Sequence, residues 1–215
     1  MSRAVVQPSL RPQAGWRGCC ALVPVKERVH CKSRLGPQLD AAHRVELVRA
    51  MLGRVLAATM AARTVVQVIV VSPERDLVPA DLPVLADTGE GLNEALARAR
   101  DVLLKLGCPE LLVLPADLPA LTAAEVDAFV EAGRRGGFAI APDAAGTGTN
   151  ALYLGNEAPF GFRFGPGSRA LHEQEAWRCG LAPVVHSSPG LAFDVDLPAD
   201  LGRLEGEPWQ SLLRP

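Results

Sequence analysis

The sequence predicts an α/β domain with a mostly parallel central sheet and helices on both faces. Short apolar or β-branched runs alternate with segments of helical spacing between Cys19 and Leu114. Parallel strands are joined by helical crossovers, so this alternation predicts helices that cover both faces of the sheet. No linker rich in Pro, Gly or Ser interrupts the chain. We therefore predict a single domain over 16–215 behind a flexible extension over 1–15.

The first half of the chain is predicted to contain four strands and two helices. The strands are expected at 19–25, 65–71, 84–86 and 111–114. Residues 65–71 are β-branched almost throughout, which is typical of a strand, and residues 111–114 are apolar up to Pro115. Across 41–59 the apolar residues recur at three- and four-residue steps, and the same spacing begins again at Gly91. These two segments are therefore predicted to be helices.

The second half is predicted to contain four more strands and three more helices. The strands are expected at 138–141, 151–154, 184–186 and 192–195. The helices are expected at 122–136, at 168–178 and from Pro198 onward. The first of these helices has the capping-box pattern, because Glu125 lies three residues after Thr122, and it ends at a pair of glycines. Residues 206–215 carry no clear pattern.

Composition and charge exclude several functional classes. The 215 residues carry 22 Lys and Arg against 24 Asp and Glu, so no basic excess is present to bind nucleic acid. No apolar run approaches the roughly 18 residues of a membrane span, so no membrane association is predicted. The 5 cysteines contain no C-x-x-C pair, which favours free thiols in a reducing cytoplasm. The sequence gives no prediction of oligomeric state.

Three groups of residues follow predicted strands, at the edge where open parallel sheets bind ligands. The first group is the cationic loop after 19–25, with Lys26, Lys32 and Arg34. Three cations can neutralise the oxygens of a nucleotide triphosphate, and loop amides add further donors. The alternative is a solvated charged loop. The loop does not have the glycine-lysine pattern of a Walker-type phosphate loop.

The second group is acidic. Asp117 follows the predicted strand at 111–114, while Asp194 and Asp196 lie at the end of 192–195. Carboxylates at the ends of parallel strands can converge on one Mg²⁺ ion, which prefers hard oxygen ligands. The alternative is that Asp117 caps a turn and Asp196 caps the helix that begins at Pro198. The two acidic segments together with the cationic loop favour a metal–nucleotide site.

The third group consists of two loops rich in glycine, at 146–150 and 165–169. Glycine permits a close approach of the backbone to a ligand, and Ser168 lies where a helix is predicted to begin. A helix start with free amides and a hydroxyl group can bind an anion. The alternative is that both loops are plain turns.

These residues, taken in order, resemble the CofC/FbiD-type guanylyltransferases of coenzyme F-420 biosynthesis. The matching segments are 22–26, 32–35, 91–93, 115–119, 146–149, 163–168 and 194–196. The resemblance extends over about 21–201 and implies a Rossmann-like nucleotidyltransferase fold, as in the molybdenum-cofactor guanylyltransferases. The extension before Trp16 and the pair His30-Cys31 in the cationic loop depart from the family pattern.

The resemblance implies that GMP is transferred from GTP to a three-carbon phospho-acid, with release of diphosphate. The acceptor would be 3-phospho-D-glycerate or phosphoenolpyruvate, which a bacterial composition favours over 2-phospho-L-lactate. Each group of residues would have one role. Lys26, Lys32 and Arg34 would hold the GTP phosphates; Asp117 with Asp194 or Asp196 would hold Mg²⁺; Gly91 to Asn93 would lie near the nucleoside; and Thr149, Gly165 and Ser168 would bind the phospho-acid.

Two other functions remain open from the sequence. Asp194-Val195-Asp196 also fits the D-x-D metal motif of a sugar-nucleotide glycosyltransferase, and a non-catalytic nucleotide sensor would bind GTP without turnover. For the leading hypothesis no general base is required, because a phosphate monoester is largely dianionic at neutral pH. His43, His172 and His186 are therefore predicted to be structural or exposed rather than catalytic.

Overall fold

The computed structural model describes residues 18–25, 32, 35–87, 89–155, 158–206 and 208–213. Within them the strands are β1 (Cys19–Pro24), β2 (Val65–Ser72), β3 (Val84–Ala86), β4 (Glu110–Val113), β5 (Phe138–Pro142), β6 (Thr149–Leu154) and β7 (Val184–Val185). They form one sheet in the order β3-β2-β1-β4-β6-β5-β7. β6 is antiparallel to both neighbours, and the other pairs are parallel. The sheet is mostly parallel, as the sequence predicts.

Four long helices accompany the sheet in the described part of the chain. They are α1 (Ala41–Ala61), α2 (Leu92–Lys105), α3 (Ala123–Gly136) and α4 (Ser168–Arg178). The four-residue helices α5 (Pro189–Ala192), α6 (Pro198–Leu201) and α7 (Trp209–Leu212) follow. Thr122 and Glu125 form the predicted reciprocal capping box at the start of α3. None of the described helices combines the length and the apolar character that crossing a membrane requires.

The strands bury both of their faces, because successive side chains point to opposite sides of the sheet. On β1, Ala21 lies in the core shared with α1 and α3, whereas Leu22 lies in the core shared with α2 and α4. Leu52 of α1 and Leu96 of α2 are buried in these two cores. Apolar burial on both faces explains why β1, β2 and β4 appear in the sequence as continuous apolar runs.

The direction in which the chain crosses the sheet reverses at β1. The chain passes from β1 to β2 and β3 on one side, and then returns to β4 on the other side. In open α/β sheets such a reversal leaves a crevice beyond the carboxyl ends of the two strands, and ligands bind there. The residues after Pro24 and after Val113 therefore border the expected binding crevice.

Residues 192–195 are not the strand that the sequence predicts. The helix α5 ends at Ala192, and residues 193–197 form an irregular segment. The Val195 amide of this segment donates to the carbonyl of Asp117, which follows β4, at 3.3 Å. Short apolar runs do not distinguish a ladder strand from a buried irregular segment, which is why the prediction was wrong.

The prediction of free thiols is also wrong for two of the cysteines. Cys20 and Cys108 form a disulfide, with their Cα atoms 6.6 Å apart. Cys20 lies on β1, and Cys108 lies two residues before β4, which pairs with β1. The separation of 88 residues hides this proximity in the sequence. Cys19 and Cys179 are thiols, and Cys31 lies outside the described residues.

Candidate active site

The carboxyl edge of β1 and β4 brings one lysine and two aspartates into direct contact. The Lys32 ammonium donates to Asp117 Oδ2 at 2.6 Å and to Asp196 Oδ1 at 2.8 Å. Asp117 follows β4, and Asp196 belongs to the irregular segment 193–197, which the Val195 amide ties to the Asp117 carbonyl. The structure therefore brings the two predicted acidic segments together, and it places a predicted cation between them. We call this group, with Asp194, the acidic edge.

Lys32 places a largely buried positive charge at the acidic edge. Only 11% of its side chain is exposed. Burial alone would lower the pKa of Lys32, but the charges of Asp117 and Asp196 and the hydrogen bonds to both outweigh this effect and raise the pKa. The backbone of Lys32 has a φ of 48°, in the left-handed region that non-glycine residues seldom adopt. Lys32 is thus charged at neutral pH.

Asp194 is the third carboxylate of the acidic edge. Burial raises the pKa of Asp194, and the charges of Asp117 and Asp196 raise it further, against a hydrogen bond from the Asn150 side chain. That bond joins Asn150 Nδ2 to Asp194 Oδ1 at 3.2 Å. The three aspartates therefore lie within electrostatic range of one another, with a concentration of negative charge that a cation would relieve.

The acidic edge has the ligand chemistry that the predicted Mg²⁺ ion requires. Carboxylate oxygens are hard donors, and Mg²⁺ in nucleotide sites is held by one or two of them together with water and substrate phosphates. Within the described ranges, no three His, Cys, Asp or Glu side chains already form a metal-binding group. The Lys32 ammonium is instead the partner that Asp117 and Asp196 share. The carboxylate oxygens of the acidic edge are thus of the type that Mg²⁺ prefers, and two of the three carboxylates are paired with Lys32.

Helix capping does not account for Asp196. The residue that accepts the backbone amides of Asp196 and Leu197 is Asp200, through its Oδ2 atom at 3.0 and 2.7 Å. The N-cap position of α6 is Leu197 rather than Asp196. The carboxylate of Asp196 is therefore directed to Lys32 and not to the start of α6.

Two residues of the cationic loop, Lys26 and Arg34, lie outside the described residues, so their predicted contact with GTP phosphates stays a prediction.

Gly91 has a φ of 100° and stands at the N-cap of α2. The amide group of Asn93 is engaged with the backbone of Phe164: Nδ2 donates to its carbonyl at 3.1 Å, and Oδ1 accepts from its amide at 2.8 Å. Asn93 thus fixes the segment that precedes Gly165, a contact that sequence reasoning missed.

The two glycine-containing loops lie side by side, next to the start of α4. The Arg169 amide donates to the Thr147 carbonyl at 3.1 Å, and Arg169 Nη1 donates to the Gly146 carbonyl at 3.2 Å. Gly165 has a φ of 140°, which a side chain would strain. We call the surface around Thr149, Gly165 and Ser168 the two-loop pocket.

The first turn of α4 is less open than the sequence suggests. The Ser168 amide donates to the Gly165 carbonyl at 3.1 Å, and the Arg169 amide is occupied by Thr147. The prediction of free amides at this helix start is therefore wrong for these two groups, because the adjoining loops fold back and use them. The N-cap residue Gly167 supplies no side-chain hydrogen bond, and the positive end of the helix dipole still faces the pocket.

A buried histidine contacts Thr149, the residue predicted to bind the acceptor. His172 Nδ1 lies 3.0 Å from Thr149 Oγ1, and His172 Nε2 accepts from the Arg163 amide at 2.8 Å. Burial, with the charge of Arg163, lowers the pKa of His172 to about 4. The sequence predicts only a structural or exposed role for His172. Its position one helical turn after Ser168 is the signal that could have placed it on the same helix face.

Side chains from α2 and α4 fix the segment 158–164, which leads into the two-loop pocket. Arg100 donates to the Phe160 carbonyl at 3.0 Å and also to the Ala158 carbonyl. Glu175 accepts from the Gly161 amide at 2.8 Å, and its hydrogen-bonded ion pair with Arg178 lowers the pKa of Glu175 to about 2. These contacts, which the sequence analysis missed, hold an irregular segment in place without strand pairing.

The start of β6 connects the acidic edge with the two-loop pocket. Thr149 and Asn150 are consecutive residues at the point where the register of β6 with β5 shifts, and their side chains reach opposite faces of the sheet. Thr149 contacts His172 on one face, while Asn150 donates to Asp194 and to the Leu191 carbonyl on the other. Because β6 is antiparallel to β4, its first residues lie at the carboxyl edge of the parallel strands. One strand end therefore serves both parts of the site.

Comparison with known proteins identifies a family for the chain. Residues 19–207 match the family model described as "Guanylyl transferase CofC like". A phosphoenolpyruvate guanylyltransferase of Rubrobacter xylanophilus is 44% identical over 194 residues, which cover 86% of this chain and 92% of the relative. A 2-phospho-L-lactate guanylyltransferase of Methanothermobacter thermautotrophicus is 36% identical over 193 residues, which cover 86% of this chain and 83% of the relative.

Solved structures share the fold at low sequence identity. A nucleotidyl transferase from Methanothermobacter matches 86% of this chain and 95% of its own, with a TM-score of 0.57 and 18% identity. A cytidylyltransferase acting on 2-C-methyl-D-erythritol 4-phosphate, from Thermus thermophilus, matches 92% of this chain and 100% of its own, with a TM-score of 0.51 and 17% identity. The fold is therefore the Rossmann-like nucleotidyltransferase fold that the resemblance implies.

Proposed function

The chain belongs to the CofC-like guanylyl transferase family, and we propose that it transfers GMP from GTP to the phosphate of a three-carbon phospho-acid, with release of diphosphate. As in the family it resembles, the product would enter coenzyme F-420 biosynthesis. The observation that carries this proposal is the start of β6, where adjacent residues serve the acidic edge and the two-loop pocket. The reaction needs such a pairing, because a nucleotide and an acceptor must be held side by side.

The acidic edge is the proposed site of the GTP phosphates. Lys32 would contact the phosphate oxygens, and Asp117 with Asp194 or Asp196 would hold Mg²⁺. When bound, the ion would neutralise charge on the phosphates that the nucleophile must approach. The remaining barrier is largely electrostatic, and fixed cations and dipoles reduce such barriers most effectively in a partly buried site. Lys26 and Arg34 of the same loop would extend the cationic surface along the phosphate chain.

The two-loop pocket is the proposed acceptor site. Thr149 and Ser168 are both buried, with 8% and 3% of their surface exposed, and Gly165 allows a ligand to approach the backbone closely. The N-terminus of α4, which has no side-chain cap, favours an anion. The phospho-acid would bind here with its phosphate directed toward the acidic edge. Its phosphate is already a nucleophile at neutral pH, so no residue is required to remove a proton.

We propose phosphoenolpyruvate as the acceptor. Support comes from five of the relatives, from Rubrobacter, Sphaerobacter, Rhodococcus, Nocardia and Chloroflexus, which are named phosphoenolpyruvate guanylyltransferases and are 37–44% identical to this chain. The methanogen relative named for 2-phospho-L-lactate is 36% identical. We also propose a cytoplasmic location, where GTP and phospho-acids are both present.

The direct test is purified protein with Mg²⁺, GTP and each of the three phospho-acids in turn. We expect diphosphate release that requires both the acid and the ion, and mass spectrometry should detect the guanylated acid, with phosphoenolpyruvate giving the highest kcat/KM. ATP and CTP in place of GTP serve as matched controls. Transfer of a sugar from a nucleotide sugar would contradict the proposal, as would tight GTP binding without turnover on any of the three acids.

A further inference from the structure

The hydrogen bonds of His172 fix which of its nitrogens carries the proton. A backbone N–H can only donate, and the Arg163 amide lies 2.8 Å from His172 Nε2, so Nε2 accepts and carries no hydrogen. His172 is fully buried. Burial and the neighbouring charge of Arg163 keep the imidazole neutral at physiological pH, since both lower its pKa. A neutral imidazole without a hydrogen on Nε2 must carry it on Nδ1.

The proton on Nδ1 determines how the hydroxyl group of Thr149 is used. Nδ1 lies 3.0 Å from Thr149 Oγ1, so the imidazole donates and the hydroxyl oxygen accepts. A threonine hydroxyl has one hydrogen and two lone pairs. Since one lone pair is occupied by His172, the hydroxyl hydrogen is directed away from the imidazole. Thr149 borders the two-loop pocket, so this hydrogen can be offered to a ligand there.

We propose that His172 is a positioning residue, which by donating from Nδ1 to Thr149 orients the Thr149 hydroxyl as a hydrogen-bond donor to the anionic phospho-acid. The inference rests on the proposed function, since it concerns the acceptor of that reaction. Arg163 contributes to this arrangement, because its backbone amide donates to Nε2 and so leaves the imidazole proton on Nδ1. Without His172 the hydroxyl could rotate and present a lone pair, which would repel an anionic oxygen.

Two substitutions separate the two hydrogen bonds of His172. In His172→Asn, the amide nitrogen can lie near the position of Nδ1, which retains a donor for Thr149 and loses the acceptor for Arg163. In His172→Gln, the amide oxygen can lie near the position of Nε2, which retains the acceptor and loses the donor. We expect His172→Gln to raise the KM for the phospho-acid about tenfold and the KM for GTP less than about twofold. His172→Asn should lie closer to the wild type.

A double-mutant cycle tests whether His172 acts through Thr149. Thr149→Val removes the hydroxyl group and nearly conserves the shape. In that background His172→Gln should cause no further increase in the KM for the phospho-acid, because residues that act through one hydrogen bond are not additive. Thr149→Ser retains the hydroxyl group and serves as the matched control. An equal increase with and without the hydroxyl group would overturn the inference, and so would a parallel rise in the KM for GTP.

A measurement on the wild-type protein does not depend on the variants folding. Long-range ¹H–¹⁵N correlation spectra of the imidazole distinguish the two neutral tautomers, and we expect the one protonated on Nδ1 near neutral pH. Protonation on Nε2 would overturn the inference. Active wild-type enzyme with an unchanged acceptor KM in His172→Gln would overturn the inference alone. Wild-type protein that guanylates none of the three acids would overturn the proposed function as well.

Discussion

The acidic edge and the two-loop pocket are held together by different forces. At the acidic edge, one lysine bridges two aspartates through side-chain contacts at 2.6 and 2.8 Å. In the two-loop pocket, side chains of α2 and α4 bind backbone groups of the segments that form the walls. Carboxylates that bind a lysine can bind another cation in its place. Hydrogen bonds from side chains to the backbone instead hold the backbone in one conformation. We therefore expect the proposed nucleotide site to rearrange on binding and the proposed acceptor site to be preformed.

The largest expected effect is on catalysis at the acidic edge. Asp117→Asn should lower the rate of diphosphate release by about a thousandfold, because it removes a charge from the proposed metal site. The midpoint of thermal unfolding should change little, since the side chain is partly exposed and the substitution conserves its shape. Asp101→Asn, on the exposed side of α2, is the matched control. A variant that retains full activity would exclude a metal role for Asp117.

The protein should lose stability in acid, because the imidazole of His172 beside the two-loop pocket is neutral in the folded state. The pKa of His172 is about 4 in the folded protein and near 6.5 when unfolded, so the unfolded chain binds the proton more tightly. The free energy of unfolding should therefore fall between pH 6.5 and about 4, by on the order of 3 kcal/mol. Well above pH 6.5 both states are neutral and His172 contributes no pH dependence.

Denaturant titrations at several pH values measure this loss. The variant His172→Asn should lack most of the slope between pH 6.5 and 4.5, while its unfolding below pH 4.5 should still reflect the carboxylates. Glu175, whose pKa is lowered to about 2, contributes only in that lower range. A wild-type protein whose stability is constant from pH 7 to 4.5 would contradict the assignment of a neutral, buried imidazole.

The comparison is sharpened by replacing the lysine of the acidic edge. Lys32→Met should reduce kcat/KM for GTP by about a hundredfold, because a cation that we propose to contact the phosphates is lost. The same variant should bind Mg²⁺ more tightly than the wild type when no nucleotide is present, since the ammonium no longer competes for Asp117 and Asp196. Titration calorimetry measures this affinity, with the exposed Lys105→Met as control. Weaker metal binding in Lys32→Met would show that the two cations do not compete.

A substitution of Asn93 tests which of the two proposed substrate sites this residue supports. The resemblance to the family places 91–93 near the nucleoside, whereas the structure joins Asn93 to the backbone before Gly165. Because of that contact, Asn93→Ala should raise the KM for the phospho-acid by about tenfold, with a smaller change for GTP. Steady-state kinetics with each substrate varied in turn provide the measurement. A selective rise in the KM for GTP would support the nucleoside role instead.

The sequence predicts the parts of the fold that depend on apolar periodicity. β2 and α1 lie where the β-branched run and the spacing of apolar residues place them. The position of Asp117 at the edge of the sheet could be predicted, because a residue that follows a buried parallel strand lies at the carboxyl end of that strand. The segment 192–195 was misassigned because a run of four residues does not show whether its backbone joins a ladder.

Other features of the site leave no local pattern in the sequence. Arg100 binds backbone carbonyls and Glu175 binds a backbone amide, all far away in the chain, and a backbone group has no identity that a sequence could show. His172 was predicted to be structural or exposed, and its contact with Thr149 becomes visible only in the three-dimensional structure. The pairing of Cys20 with Cys108 likewise depends on β1 lying beside β4.

The reversed direction of β6 makes the spacing of its first two residues critical. Thr149 and Asn150 face opposite sides, and a shift of register by one residue turns every side chain of a strand over. Removing a single residue from the turn at 143–148 would thus pull either Thr149 away from His172 or Asn150 away from Asp194. The length of this turn is therefore as critical to the site as the residues that it presents.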